Sequence, residues 1–126
     1  MIGYVANIEK ETLDNENFRK VLFTGPQSQL VVMTLQPGED IGMEVHGDID
    51  QFIRIEEGEG KSILNGEESV LEDDFAVVIP AGTEHNIVNT SKTKKLKLYT
   101  IYSPAEHAEG TVHKTKAEAE AAGHDH

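Results

Sequence analysis

Turn chemistry recurs along this chain at intervals too short for ordinary helices. Gly25-Pro26, Pro37-Gly38, Asn65-Gly66 and Pro80-Ala81-Gly82 each combine residues that reverse a backbone. Between them lie short runs with apolar positions, at residues 18–24, 30–35, 51–57, 59–64, 69–71, 75–79, 85–89 and 96–102. Such runs separated by turns, with almost no helical pattern, predict an all-β barrel or sandwich. Asn65-Gly66 is a favoured two-residue hairpin signal and joins 59–64 to 69–71. Residues 30–35 are apolar at nearly every position, which predicts a strand covered on both faces, and 75–79 reads as another buried strand. Residues 1–9 read as a first strand and 10–17 as a charged connector. Thr115 and Glu118 form a capping-box pattern that opens a short Ala/Glu helix over 114–123.

At 126 residues, the whole chain 1–126 reads as one domain with room for a core. The chain has no cysteine, so a metal here must be held by imidazole, carboxylate or amide oxygen, and thiolate nucleophiles are excluded. A formal charge of −12 repels phosphates, so neither nucleic acid nor an anionic membrane is an expected partner; a small molecule is. No apolar run approaches the roughly 20 residues of a membrane span, and the expectation is a cytoplasmic protein.

The chemistry concentrates in two stretches. Glu44 and His46 are two residues apart, so on an extended strand they share a face. The following Gly47-Asp48-Ile49-Asp50 is turn-like, and a hairpin there would carry Gln51 back towards the same point. The alternative is a solvated hairpin with a stray histidine. In the second stretch the turn at Pro80-Ala81-Gly82 delivers His85 to the start of a strand on which His85, Ile87 and Asn89 share a face.

Together these stretches resemble the two motifs of the cupin superfamily, one spanning about 38–60 and the other about 74–89. Gly38, His46 and Gly58 fall at the family spacings in the first motif, and Pro80, Gly82, His85 and Asn89 in the second. Glu44 stands where the family has its first histidine, Gln51 where it has a glutamate, and Asp74 where the second motif begins with glycine. The resemblance implies a double-stranded β-helix, or jelly-roll barrel, with the short C-terminal helix appended. It also implies one divalent metal ion held by Glu44, His46, Gln51 and His85, with the single carboxylate moved rather than lost. Such a donor set suits Zn, Mn, Fe, Ni or Co. The ligand set is similar to that of mannose-6-phosphate isomerases, which are much larger, and no cluster of lysine and arginine for a phosphate is evident here.

Further candidates surround these motifs. His107 and His113 lie beyond the last recognisable strand, either on surface loops or on a returning segment that crosses the barrel mouth with acid/base groups. Tyr99 and Tyr102 are out of register on one strand, so only one of them, with Tyr102 as the catalytic candidate, faces inward. Alternation puts Gln51, Ile53 and Ile55 on one face and Phe52, Arg54 and Glu56 on the other. An outward Phe52 points to a homodimer interface. The tail, Gly123-His124-Asp125-His126, is either frayed or an adventitious metal binder. Three functions fit these residues: a metal-dependent enzyme of isomerase, oxygenase or lyase type, a non-catalytic module holding metal or a small ligand, and a cupin that has lost its metal.

Overall fold

The computed structural model describes residues 2–123. The punctuated apolar runs become strands β1 (Arg19–Thr24), β2 (Gln29–Leu35), β3 (Asp50–Glu57), β4 (Gly60–Leu64), β5 (Glu67–Leu71), β6 (Ala76–Ile79), β7 (His85–Asn89), β8 (Leu96–Ser103) and β9 (Val112–His113). They form a larger sheet in the order β6-β3-β8-β2-β1-β9 and a smaller one in the order β5-β4-β7. Every pairing between these strands is antiparallel. The two sheets close on each other as a jelly roll. Asn65 and Gly66 both have positive φ, 49° and 85°, as the β4–β5 hairpin turn requires. Asp74 also has positive φ, 71°, a conformation aspartate accepts at little cost.

Four expectations need correction. Residues 2–7 form no strand, and the stretch read as a charged connector contains helix α1 (Ile8–Asp14). Asn7 caps it by accepting from the Lys10 amide, with Glu9 and Glu11 favourably placed in the first turn. The strand at 75–79 is buried on one face only: Val77 and Ile79 point in, whereas Phe75 and Val78 are exposed. Glu44 and Gln51 are not joined by a hairpin, because Gln51 enters the larger sheet while the segment around Glu44 runs along β7 of the smaller one. Finally, β9 is a short extra strand paired with β1. Helix α2 (Lys116–Ala122) forms as expected, with the Thr115 side chain accepting from the Glu118 amide.

The inner face of the larger sheet changes character along its strands. At one end, Leu35, Leu96, Leu98, Ile55 and Met33 are fully buried and pack with Ile87 and Leu71 of the smaller sheet. Each such side chain contributes about 1.5–3 kcal/mol relative to exposure. Towards the other end, the register aligns Gln51, Tyr102 and Gln29 in one inward row, all buried. The fold thus builds a dry aliphatic floor under a polar layer. Gly60 seals the join, since a Cβ there would sit 2.4 Å from the Val88 carbonyl oxygen.

On the outer face, α1 contacts β2, β3 and β8. The same face carries a cross-strand ladder of exposed Val78 and half-buried Phe52, Ile101, Leu30 and Phe23, whose residues are register partners in turn. Tyr4 stacks on Phe23 at its end, with ring centroids 5.9 Å apart.

Candidate metal centre

Backbone pairing brings the three metal-capable side chains together. The segment from Glu39 to Glu44 lies along the free edge of β7, with Ile41 N donating to Ile87 O at 3.0 Å. Glu44 and His85 then exchange both backbone hydrogen bonds, 2.9 and 2.8 Å long, so they stand directly opposite each other. His46 lies two residues further along extended chain, on the same face as Glu44, while Met43 and Val45 point to solvent. The Gly82 amide donates to His46 O at 2.8 Å, which ties the turn before His85 to this segment. One donor atom from each of Glu44, His46 and His85 falls within 4.8 Å of the others, so the group could hold a metal ion.

The outward nitrogens of both imidazoles are committed elsewhere. His85 Nδ1 lies 2.9 Å from the Thr83 carbonyl oxygen, which can only accept, so that nitrogen carries the proton. In the neutral ring Nε2 is then the lone pair, and that atom is buried without a hydrogen-bond partner. His46 Nδ1 lies 3.1 Å from Glu106 Oε2, and its Nε2 lies 3.7 Å from Glu44 Oε1. Without metal, the Glu106 hydrogen bond holds the His46 pKa above the ordinary imidazole value; burial opposes this, and the charges of Glu106 and Glu44 reinforce it. With metal, the same geometry is the familiar second carboxylate behind a ligating histidine, fixing ring and tautomer.

Gln51 lies on the inner face, 4% exposed. Its Nε2 donates to Thr100 Oγ1 at 3.0 Å, leaving Oε1 buried and unpartnered. An oxygen in that state is a competent neutral donor. Two imidazole nitrogens and a carboxylate suit a borderline divalent ion rather than magnesium or calcium, which prefer all-oxygen shells. The donor set therefore fits the metal that the fold leads one to expect.

The segment after β8 does cross the mouth of the barrel. Gln29, fully buried on β2, clamps it there: Gln29 Nε2 donates to His107 O at 2.7 Å, and its Oε1 accepts from the amides of Glu106 and His107 at 3.2 and 3.0 Å. His107 Nε2 lies 3.4 Å from the Tyr102 hydroxyl, and the Tyr102 ring is edge-on to both His46 and His107. Of the two tyrosines on β8, Tyr102 faces inward, as one of them had to. Burial pushes its pKa far up, opposed by Arg19 and reinforced by Glu44 and Glu106, so its hydroxyl stays protonated. Asn89 acts as a structural clasp, donating to the carbonyls of Leu35, Gln36 and Lys94.

A cavity of about 320 Å³ opens beside Glu44, with Arg19, His107, His113 and Lys116 among its walls. Arg19 and His113 are register partners on β1 and β9, both buried, with Nη1 of Arg19 3.4 Å from Nδ1 of His113. Glu106, Gln29 and Arg19 were not anticipated as site residues. Arg19 carried no mark beyond its place on an expected strand, Gln29 fell just outside the strand expected at 30–35, and nothing local marked Glu106. Residues 124–126, which carry the tail histidines, lie outside the described residues.

Comparison with known proteins agrees with this geometry. Residues 31–102 match the cupin domain family. The chain is 50% identical over 126 residues to YrkC of Bacillus subtilis, an uncharacterized protein, covering 94% of this chain and 67% of that one. It is 49% identical over 112 residues to the uncharacterized protein L612 of Acanthamoeba polyphaga mimivirus, covering 86% of this chain and 70% of that one. The crystal structure of BH2720 from Bacillus halodurans superposes with a TM-score of 0.91 at 48% identity, covering 94% and 93% of the two chains. No mannose-6-phosphate isomerase stands among these relatives, and that likeness is without support. The matched span, the relatives and the two-sheet fold agree: the chain belongs to the cupin domain family.

Proposed function

We propose that this protein holds one divalent transition-metal ion between Glu44, His46 and His85, with the Gln51 amide oxygen as a fourth donor, and acts on a small organic molecule admitted through the adjoining cavity. One observation carries the reading: His85 Nε2 is a buried lone pair with no partner, while the other nitrogen of that ring is locked as a donor to Thr83 O. A neutral imidazole left this way is costly unless something electrophilic occupies the space in front of it. When bound, a divalent ion supplies Lewis acidity at that point. Glu106 keeps the His46 ring oriented, and Tyr102 offers a protonated hydroxyl at the edge of the centre. His107, within reach of that hydroxyl, can relay a proton between it and the cavity, and His113 faces the same space from β9.

The experiment is elemental analysis of protein produced without a polyhistidine tag and dialysed against a weak chelator. About one ion per chain is expected, lost on His85→Ala or His46→Ala. Unchanged metal content in the double variant defeats the reading. Turnover of isomerase, lyase or oxygenase substrates that disappears with His85→Ala marks an enzyme, whereas tight metal without turnover marks a holding module.

We also propose that two copies associate through the outer ladder of Val78, Phe52, Ile101, Leu30 and Phe23. In a chain with a charge of −12, that row carries no acidic residue, so it is where two copies approach with least repulsion. The N-terminal segment that brings Tyr4 onto Phe23 also exposes Ile2 and Val5.

A further inference from the structure

Arg19 is a buried cation that no carboxylate of the described residues answers. Its residue is 7% exposed, yet it takes part in no ion pair among the described residues. Its Nη1 lies 3.4 Å from His113 Nδ1, the Tyr102 hydroxyl is close by, and the guanidinium lies over the Phe18 ring, 5.2 Å from its centroid. None of these three neighbours is a carboxylate. Nε is buried with no hydrogen-bond partner. A guanidinium presents flat edges that match a carboxylate, and Arg19 stands in the cavity wall with donors that no carboxylate of the described residues takes up. Leaving a buried charge unanswered is expensive, and here the residue that carries it lines a cavity.

Charge around the cavity points the same way. Lys116, the other cation in the wall, is already paired with Asp40. A divalent ion set against Glu44 and Glu106 is neutralised by them, and Arg19 then adds one positive charge that no carboxylate of the described residues pairs with. Glu120, also on the wall, disfavours a ligand with more than one negative charge.

From this we infer that the cavity takes a small organic monocarboxylate, whose carboxyl group is gripped by Arg19 while its remainder reaches towards Glu44 and the metal centre. The inference deepens the metal-centre reading and rests on it for the orientation of the ligand, but not for the grip itself. It also gives Arg19 a role in choosing the substrate class, as the residue that separates an acid from its ester.

The test is calorimetric titration of the full chain with acetate, pyruvate and malonate, alongside methyl pyruvate and inorganic phosphate, with metal content measured on the same samples. At least one monocarboxylate should bind saturably, methyl pyruvate and phosphate more weakly. Arg19→Gln should weaken the acid by about tenfold or more with its metal content intact. Arg19→Lys, which keeps the charge but loses the flat edge, should fall between the two, and it decides the matter if Arg19→Gln does not fold. Binding of acid and ester with equal strength, preferred binding of phosphate or malonate, no saturable binding of any acid, or parent-like binding in the folded variant overturns the inference. If acid binding depends on Arg19 in a chain that holds no metal, this inference stands and the metal-centre reading falls. If metal is held one per chain and the folded variant binds acid like the parent, the reverse is true.

Discussion

Glu106 Oε2 sits 3.1 Å from Nδ1 of His46, a pairing across sixty positions of sequence that puts a second carboxylate behind a metal-capable imidazole. Removing it should loosen the ring and weaken the donor. Glu106→Gln is expected to lower metal affinity about 10–100-fold, as measured by competition with a chromogenic chelator, with the fold unchanged by circular dichroism. Affinity equal to the parent would mean that Glu106 does not tune the centre.

Gly60 allows β4 to lie against β7. A methyl carbon at this position would come within 2.4 Å of Val88 O, a clash with backbone, which cannot swing aside. Gly60→Ala should therefore cost about 2–3 kcal/mol and lower the melting temperature by about 5–15 °C. A variant that melts with the parent would show that the join between β4 and β7 yields more than packed backbone normally does.

Asp40 ties the segment before Glu44 to α2 through Lys116. Burial alone would raise its pKa, but hydrogen bonds from Lys116 and Asn86 outweigh burial and hold the carboxyl below its ordinary value. A depressed folded pKa gives stability that is present above the unfolded value of about 4 and lost as pH falls through the folded one. Lys116→Met should thus be less stable than the parent at neutral pH, by only about 0.5–1 kcal/mol because solvent reaches the pair. Urea unfolding should show the two proteins converging as the pH falls below the unfolded value and through the depressed folded one. A gap that persists in acid would assign the effect to packing of the lysine stem.

The outer ladder predicts assembly. Light scattering should give the mass of two chains, and Phe52→Glu should shift it to one, because a pair of copies would then bury a carboxylate from each side in an apolar contact. A parent protein of monomer mass would leave the ladder as an ordinary exposed sheet face.

Much of the architecture was legible in the order of residues. Turn dipeptides are local devices, and period-two burial is local too, so β2, β3, β7 and β8, the Asn65-Gly66 hairpin and the inward face of Gln51, Ile53 and Ile55 follow from neighbours alone. The likeness of Glu44, His46 and His85 to a motif was legible for the same reason, since each sits at a fixed distance from a turn. Helix α1 was missed because its seven residues are mostly polar, and its stability comes from the Asn7 cap and from lying on the sheet rather than from an apolar stripe.

What tertiary structure alone decided is which distant groups face those motifs. Glu106 reaches His46 only because Gln29, on a strand far away in sequence, clamps the returning segment over the barrel mouth. Arg19 borders the cavity only because β1 pairs with β2 on one side and β9 on the other. Backbone conformation is set over a few residues, whereas the field at a buried point is the sum of every charge that folding brings near it. The residues could therefore declare a barrel and a cluster of donors, while the charge that surrounds the cluster, and with it the kind of ligand it welcomes, exists only once the sheets have closed.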